Sequence, residues 1–335
     1  MIKLTIIGTT SWGTTLAVIQ ARKGIDVCLW ARSPEVAADL NARRENATIL
    51  PGIQFPDNLT VTNSLAEALD NTTAVIFAVP SQSMRKNADL AAPYLDRSAL
   101  IISAAKGLEL GTNLRMTQVM AEALDVPQSL MCVLSGPNLA REVAEGLPAA
   151  SVVASQRSSP AERARHLLSS PSFCVQVSDD VVGVELGGSL KNIIALGAGV
   201  ADGLGLGDNA KAILVTQGWT EITALGVAMG AKTATFSGLA GLGDLVATCA
   251  SPLSRNHYYG ERLARGETLE QIMDSTPHVA EGIPTTRAAY ELGLDLRVDM
   301  PVVRLMFRLL FEGLAPAQAF EELVGITLHL AGRVA

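Results

Sequence analysis

Short runs of apolar and β-branched residues alternate with stretches of helical spacing through the first half of the chain. This alternation is typical of a parallel sheet whose strands are joined by crossover helices. The runs are apolar at successive positions, so both faces of the sheet should be covered. The predicted strands are 4–7, 27–30, 74–79, 100–103, 130–134 and 151–154, and the predicted helices between them are 13–23, 34–45, 81–92, 112–124 and 138–145.

After about residue 178 the strand pattern stops, and the apolar residues follow helical spacing instead. The predicted helices of this half are 181–200, 209–229, 255–265, 281–292 and 301–310. The chain is therefore predicted to have an α/β fold class, with a doubly wound N-terminal domain over 1–178 and an all-helical C-terminal domain over 179–335.

Composition narrows the range of functions. The 335 residues are 48% hydrophobic and carry a formal net charge of −7, which excludes a disordered chain and disfavours nucleic acid as a partner. The apolar runs, such as 99–105, fall well short of the roughly 20 residues that span a membrane. The N-terminus lacks the features of a signal peptide. We therefore expect a cytoplasmic protein without a membrane span, whose partner is a small molecule.

The cysteines and histidines are too scattered along the chain to form a site. Cys28, Cys132, Cys174 and Cys249 include no C-x-x-C motif, and the four histidines are equally dispersed. Neither a disulfide framework nor a metal site is predicted.

The first strand-to-helix junction contains a degraded glycine fingerprint. It runs Gly8-Thr-Thr-Ser-Trp-Gly13, at the place where a dinucleotide fold binds the pyrophosphate on a helix N-terminus. Thr10 replaces the second glycine, so its side chain should either displace the phosphate, which we favour, or donate its hydroxyl to it. The alternative is an ordinary strand-to-helix turn.

Arg32 follows the second predicted strand, where a carboxylate would bind the ribose of NAD. A cation there accommodates a 2′-phosphate, which favours NADP or tolerance of both cofactors. A solvated arginine at the start of a helix explains the residue equally simply.

Two further segments follow strands of the predicted sheet. Lys106 comes directly after one strand, and the loop 135–138 comes after the next. Ligands of α/β sheets bind at the carboxyl ends of the strands, so these residues are candidates for ligand contact.

Lys191 is the most informative lysine. It lies in an apolar, glycine-rich helix whose i±4 positions are Gly187 and Ala195, so no acid pairs with it along the helix. Such a lysine either extends outward to solvent or has a chemical role, and the apolar surroundings favour the role.

The segment 251–256 indicates a phosphate site. Ser254 is predicted to cap a helix, which places Arg255 and Asn256 in its first turn. A cation at a helix N-terminus is unfavourable unless an anion lies between it and the helix dipole.

Together these segments resemble the bacterial-type NAD(P)-dependent glycerol-3-phosphate dehydrogenases, over the chain up to about residue 325. The matching segments are 11–14, 78–81, 106–109, 135–137, 187–192, 238–244, 254–256 and 279–282. The resemblance implies a Rossmann-like dinucleotide-binding domain over 1–178 and a substrate-binding domain over 179–335. It also implies reversible reduction of dihydroxyacetone phosphate to sn-glycerol 3-phosphate by NADH or NADPH, in support of phospholipid synthesis.

The same resemblance implies roles for individual residues. Lys191 would be the catalytic general acid and base. The substrate would be bound by Lys106, Gly136, Asn138, Lys191, Asp244, Ser254, Arg255 and Asn256. The cofactor, NAD or NADP, would be bound by Ser11, Trp12, Arg32, Ser33, Lys106, Ala140, Arg255, Val279 and Glu281. The resemblance is also compatible with a homo-oligomer.

Three positions depart from the pattern of that family: Thr10 stands for glycine, Asn138 for serine or threonine, and Gln217 for arginine. Two other functions therefore stay open. A related dehydrogenase for another hydroxy acid would not require a phosphate on its substrate. A non-catalytic nucleotide sensor would explain Thr10, but would not need the proton donor that Lys191 supplies.

Overall fold

The first half of the chain folds around one eight-stranded sheet. The computed structural model describes residues 2–276 and 279–331, the side chains of 327–331 excepted. The strands are β1 (Lys3–Ile7), β2 (Asp26–Trp30), β3 (Leu59–Thr62), β4 (Ala74–Phe77), β5 (Leu100–Ser103), β6 (Met131–Ser135), β7 (Ala149–Ala154) and β8 (Phe173–Ser178).

The spatial order of the strands is β3-β2-β1-β4-β5-β6-β7-β8. The first six are parallel, in the order of a dinucleotide-binding fold. Strand β7 runs antiparallel to β6, and β8 is parallel to β7. The predicted α/β fold class is confirmed, whereas the expectation of a wholly parallel sheet is wrong at this edge.

The sequence did not predict β3 and β8, the two edge strands of the sheet. In β8 the buried Phe173 and Val175 alternate with the exposed Cys174 and Gln176. Only one side of each edge strand is apolar, so neither produces the continuous apolar run that marks the central strands.

Helices cover both faces of the central sheet. Leu4 and Ile6 belong to one apolar cluster with Leu16, while the intervening Thr5 and Ile7 are equally buried. The helices of this half are α1 (Ser11–Arg22), α2 (Pro34–Arg43), α3 (Leu65–Leu69), α4 (Met84–Ala91), α5 (Met116–Leu124), α6 (Ala140–Glu145) and α7 (Ser158–Leu168).

The second half is helical, and no strand occurs in the described residues after Ser178. A π-helical turn, Leu239–Gly243, precedes α11. The helices are α8 (Val181–Gly203), α9 (Gly207–Ala228), α10 (Thr233–Phe236), α11 (Asp244–Ala250), α12 (Arg255–Ala264), α13 (Leu269–Asp274), α14 (Gly282–Asp295), α15 (Pro301–Phe311) and α16 (Pro316–Ala331).

The chain forms two compact units. The first comprises the residues up to Lys106 together with Arg115–Val184, and the second comprises Gly107–Leu114 together with the chain from Glu185 onward. The short segment 107–114 joins the second unit, where the Gly107 carbonyl accepts a hydrogen bond from Ser189 Oγ (3.4 Å). The domain boundary at 178/179 stays a prediction.

Helix α8 is the one helix in the described part of the chain that is long and apolar enough to cross a membrane. However, 94% of its most apolar window is buried inside the protein. Burial of this extent is typical of a core helix.

Glu221 of α9 caps the start of α15. Its two carboxylate oxygens accept hydrogen bonds from the backbone N–H groups of Val302 (2.8 Å) and Val303 (3.1 Å). Burial raises the pKa of Glu221 to about 7, although both N–H groups act in the opposite direction.

We expect Glu221 to make the protein less stable as the pH rises from about 4.5 through about 7. The folded state holds this proton more tightly than the unfolded chain, so the stabilisation is complete at low pH and is lost above the folded pKa. A shift of this size corresponds to about 3 kcal/mol. Glutamine cannot ionise, so Glu221→Gln should lack this pH dependence when the free energy of urea unfolding is measured at a series of pH values. Parallel curves for the two proteins would contradict the assignment.

Candidate active site

The side chain of Lys191 is buried in the second unit. Its Nζ lies 2.7 Å from Asp244 Oδ1 and also donates a hydrogen bond to Thr248 Oγ1. The exposed fractions of Lys191, Asp244 and Thr248 are 5%, 2% and 6%. The lysine predicted from its apolar surroundings is therefore an ammonium group inside the protein, held by a carboxylate and a hydroxyl from α11.

Thr248 is the member of this cluster that the sequence analysis missed. Asp244 and Thr248 stand four residues apart on α11, so they share one face of the helix. Thr248 Oγ1 donates its proton to the Asp244 carbonyl (2.7 Å), which leaves a lone pair directed at Lys191. Burial raises the pKa of the neighbouring Cys249 to about 12, so this thiol stays protonated and supplies no nucleophile.

The first turn of α12 has the predicted capped geometry. Ser254 Oγ accepts a hydrogen bond from the His257 N–H (3.2 Å). Asn256 Oδ1 accepts a hydrogen bond from the Gly282 N–H, and Asn256 Nδ2 donates one to Asn192 Oδ1. Both bonds are 2.9 Å long. The Asn256 amide is therefore engaged in linking α8, α12 and α14.

Arg255 in the same turn carries an available guanidinium group. Within the described residues it makes no hydrogen bond and no ion pair, and it is exposed. The guanidinium stays charged, and the Glu281 carboxylate acts on it electrostatically. The residue lines a cavity of about 270 Å³ together with Ser254, Tyr258, Tyr259 and Thr276. Such a cavity can admit an anion beside the helix N-terminus.

In the first unit, the turn between β1 and α1 requires its glycines. Gly8 has φ +113°, and a Cβ there would lie 2.8 Å from the Ala78 carbonyl oxygen. A Cβ on Gly13 would lie 2.1 Å from the Gly8 carbonyl oxygen. Helix geometry leaves the N–H groups of Ser11 and Trp12 without intrahelical partners, in a position suited to a phosphate.

Thr10 is the N-cap of α1, which settles how its side chain is used. Its hydroxyl donates to the Ala78 carbonyl (2.7 Å) and accepts from the Gly13 N–H (3.0 Å). In this structure the hydroxyl proton is thus directed at the Ala78 carbonyl, immediately after β4, rather than at the expected position of the phosphate.

We expect Thr10→Val to lower the free energy of unfolding by about 1 kcal/mol. Valine has nearly the same shape as threonine but lacks the hydroxyl that caps the helix. Thr10→Ser, which keeps the hydroxyl, is the matched control and should behave like the parent. Urea denaturation measures both. Equal stability of the valine and serine variants would rule out the capping role.

Arg32 and Ser33 lie between β2 and α2. Arg32 is exposed and donates one long hydrogen bond to Asn87 Oδ1 (3.4 Å), rather than to another predicted site residue. Ser33 caps α2 by accepting from the Val36 N–H (3.3 Å), and its hydroxyl donates to Glu35.

Lys106 and the loop 135–138 come together at the ends of β5 and β6. Lys106 Nζ donates to the Gly136 carbonyl (3.0 Å). Asn138 Nδ2 donates to Ser151 Oγ (2.6 Å), while its buried Oδ1 has no hydrogen-bond partner among the described residues. An amide with one atom still available is suited to a polar ligand.

The other predicted cofactor residues lie in different surroundings. Trp12 packs its ring against Phe173, with 6.1 Å between the ring centroids. The Ala140 carbonyl accepts a hydrogen bond from Thr15 Oγ1 (2.9 Å) at the start of α6. Val279 is 49% exposed, and Glu281 directly precedes α14.

Comparison with known proteins identifies the family. The N-terminal model of NAD-dependent glycerol-3-phosphate dehydrogenase matches residues 3–161, and the C-terminal model matches residues 180–321. The NAD(P)+ glycerol-3-phosphate dehydrogenase of Dehalococcoides mccartyi is 52% identical over 99% of this chain and 94% of that protein.

Two solved structures share the fold over 96% of this chain. The glycerol-3-phosphate dehydrogenase of Coxiella burnetii is 38% identical with a TM-score of 0.92, over 96% of this chain and 98% of that one. The glycerol-3-phosphate dehydrogenase of Saccharomyces cerevisiae is 27% identical with a TM-score of 0.81, over 96% of this chain and 99% of that one. On the sequence matches and the shared fold together, this chain belongs to the NAD-dependent glycerol-3-phosphate dehydrogenase family.

Proposed function

We propose that this protein reduces dihydroxyacetone phosphate reversibly to sn-glycerol 3-phosphate with NADH or NADPH, and so supplies glycerophospholipid synthesis. The observation that carries the proposal is the buried Lys191 ammonium held by Asp244 and Thr248. A buried proton donor of this kind suits a dehydrogenase and has no use in a nucleotide sensor. Family membership supports the same substrate over another hydroxy acid.

Lys191 acts as the general acid in this proposal. The nicotinamide cofactor, when bound, supplies the hydride. Lys191 stabilises the negative charge that develops on the substrate C2 oxygen and then donates a proton to that oxygen. Asp244 and Thr248 accept hydrogen bonds from two of its three N–H groups and thereby direct the ammonium.

Arg255 binds the phosphate of the substrate. Its guanidinium lies at the N-terminus of α12, where the helix dipole also favours an anion. Ser254 and Asn256 hold this turn in shape. Binding energy from the phosphate, remote from the reacting carbon, fixes the position of C2.

The remaining predicted contacts complete the proposal. Lys106, Gly136 and Asn138 contact the substrate at the ends of β5 and β6. The turn at Ser11 and Trp12 binds the pyrophosphate. The other cofactor contacts are Arg32, Ser33, Lys106, Ala140, Arg255, Val279 and Glu281. We assign residues 1–178 mainly to cofactor binding and 179–335 mainly to substrate binding, in a cytoplasmic enzyme that is compatible with a homo-oligomer.

Arg255→Lys tests the phosphate assignment. The variant keeps the positive charge but loses the bidentate fork, so KM for dihydroxyacetone phosphate should rise by about 10-fold or more. Unphosphorylated dihydroxyacetone, a poor substrate, should be affected far less. Steady-state kinetics with both substrates measures the difference, and an equal loss on the two would show that Arg255 does not bind the phosphate.

A further inference from the structure

Helices α8 and α12 are in direct backbone contact. A Cβ on Gly199 of α8 would lie 2.0 Å from the His257 carbonyl oxygen, and one on Gly260 of α12 would lie 2.0 Å from the Leu196 carbonyl oxygen. At these two points a glycine lets the backbones touch, so a slide or rotation of α12 moves its backbone directly against the helix that carries Lys191.

Two polar contacts join the first turn of α12 to α8. Asn256 donates to Asn192 Oδ1 over 2.9 Å, and His257 Nε2 lies 2.7 Å from Asp202 Oδ2. Asn256 and His257 are adjacent in sequence, whereas Asn192 and Asp202 are about 15 Å apart along α8. Contacts that diverge in this way hold the turn against both sliding and rotation.

The charge state of Asp202 determines which group is the donor in its hydrogen bond with His257. Loss of solvation acts to raise its pKa, but hydrogen bonds from Lys211 and His257 outweigh it and hold the pKa of Asp202 below its usual value. Lys211 Nζ approaches the two carboxylate oxygens at 2.9 and 3.1 Å. An ionised carboxylate can only accept, so His257 Nε2 carries a proton and donates, whether or not the ring is charged.

We propose that His257, held by Asp202, is a positioning residue that orients the Arg255 guanidinium for the substrate phosphate. The His257 N–H also donates to Ser254 Oγ, so His257 lies within the capped turn that contains Arg255. The His257 side chain is 13% exposed and that of Asp202 27%, so the contact is partly shielded from water. This inference rests on the proposed function of Arg255.

The test compares His257→Phe with His257→Gln. Phenylalanine has a ring of similar size to that of histidine but no hydrogen-bond donor. Glutamine can place an amide N–H near the position of Nε2. We expect His257→Phe to raise KM for dihydroxyacetone phosphate by about 10-fold with kcat changed less than about 3-fold, and His257→Gln to restore most of the loss. The value of kcat/KM for unphosphorylated dihydroxyacetone should stay nearly constant.

Two further variants keep the outcome decisive. Asp202→Ala removes the acceptor from the other side and should raise the same KM, which covers the case that His257→Phe does not fold. In the double variant Arg255→Lys/His257→Phe the two effects should be less than multiplicative, because both act through one contact.

The results separate this inference from the proposed function. If Arg255→Lys raises KM and His257→Phe does not, the positioning role is overturned while the phosphate role stands. If neither variant discriminates between the phosphorylated and unphosphorylated substrates, Arg255 does not bind the phosphate and the positioning role fails with that assignment, whereas reduction of dihydroxyacetone phosphate by the parent protein tests the proposed function separately. An equal loss of kcat/KM on both substrates in His257→Phe alone would also overturn the positioning role, since it indicates a general structural effect.

Discussion

Replacing Lys191 with alanine is expected to lower kcat by about 10²–10⁴-fold while leaving the binding of NADH and NADPH nearly unchanged. The ammonium acts mainly on the charge that develops during the reaction, so its loss affects the chemical step. Lys191 is buried beside Asp244 and Thr248, and alanine leaves no proton donor at the position of its Nζ.

Steady-state kinetics gives kcat for the Lys191→Ala variant, and fluorescence titration gives the dissociation constants of both cofactors. Lys232→Ala is the control, because it removes an exposed lysine from the same unit and should keep full activity. A kcat of Lys191→Ala within a few-fold of the parent would refute the assignment of the general acid.

Asp244→Asn is expected to lower the free energy of unfolding by about 3 kcal/mol, since it removes the carboxylate from a buried ion pair. The contact it weakens is the 2.7 Å bond to Lys191, with both side chains almost fully enclosed. The double variant Lys191→Met/Asp244→Asn should recover part of this loss, because the buried charge has then been removed as well.

The matched control for this prediction is Asp208→Asn. Asp208 also pairs with a lysine, Lys211, over 3.2 Å, but its side chain is 97% exposed. An exposed pair contributes about 0–1 kcal/mol, so the control should unfold close to the parent in urea. If Asp244→Asn and Asp208→Asn lose similar amounts of unfolding free energy, the buried ion pair with Lys191 contributes no more to stability than an exposed one.

The central part of the fold could be predicted because its strands are apolar on both faces. The direction of β7 could not, since an apolar run is the same whether a strand is parallel or antiparallel to its neighbour. The edge strand β8 was missed because Cys174 and Gln176 face outward and interrupt the pattern. Hydrophobic patterning thus indicates burial more directly than it indicates pairing.

In the site, too, residues could be recognised from their neighbours in the sequence, whereas contacts between distant segments could not be predicted. Lys191 was found because an isolated cation in an apolar helix is unusual. The contribution of Thr248 depends on a short helix, α11, that the pattern did not predict. The hydroxyl of Thr10 is committed to Ala78, a residue 68 positions away in the sequence, so its role required the folded structure.

The central claim is tested most directly by mixing the purified protein with NADH or NADPH and dihydroxyacetone phosphate and following cofactor oxidation by absorbance. We predict oxidation of at least one cofactor that requires the phosphorylated substrate, with unphosphorylated dihydroxyacetone far slower. No oxidation of either cofactor, or equal rates with and without the substrate phosphate, would contradict the account.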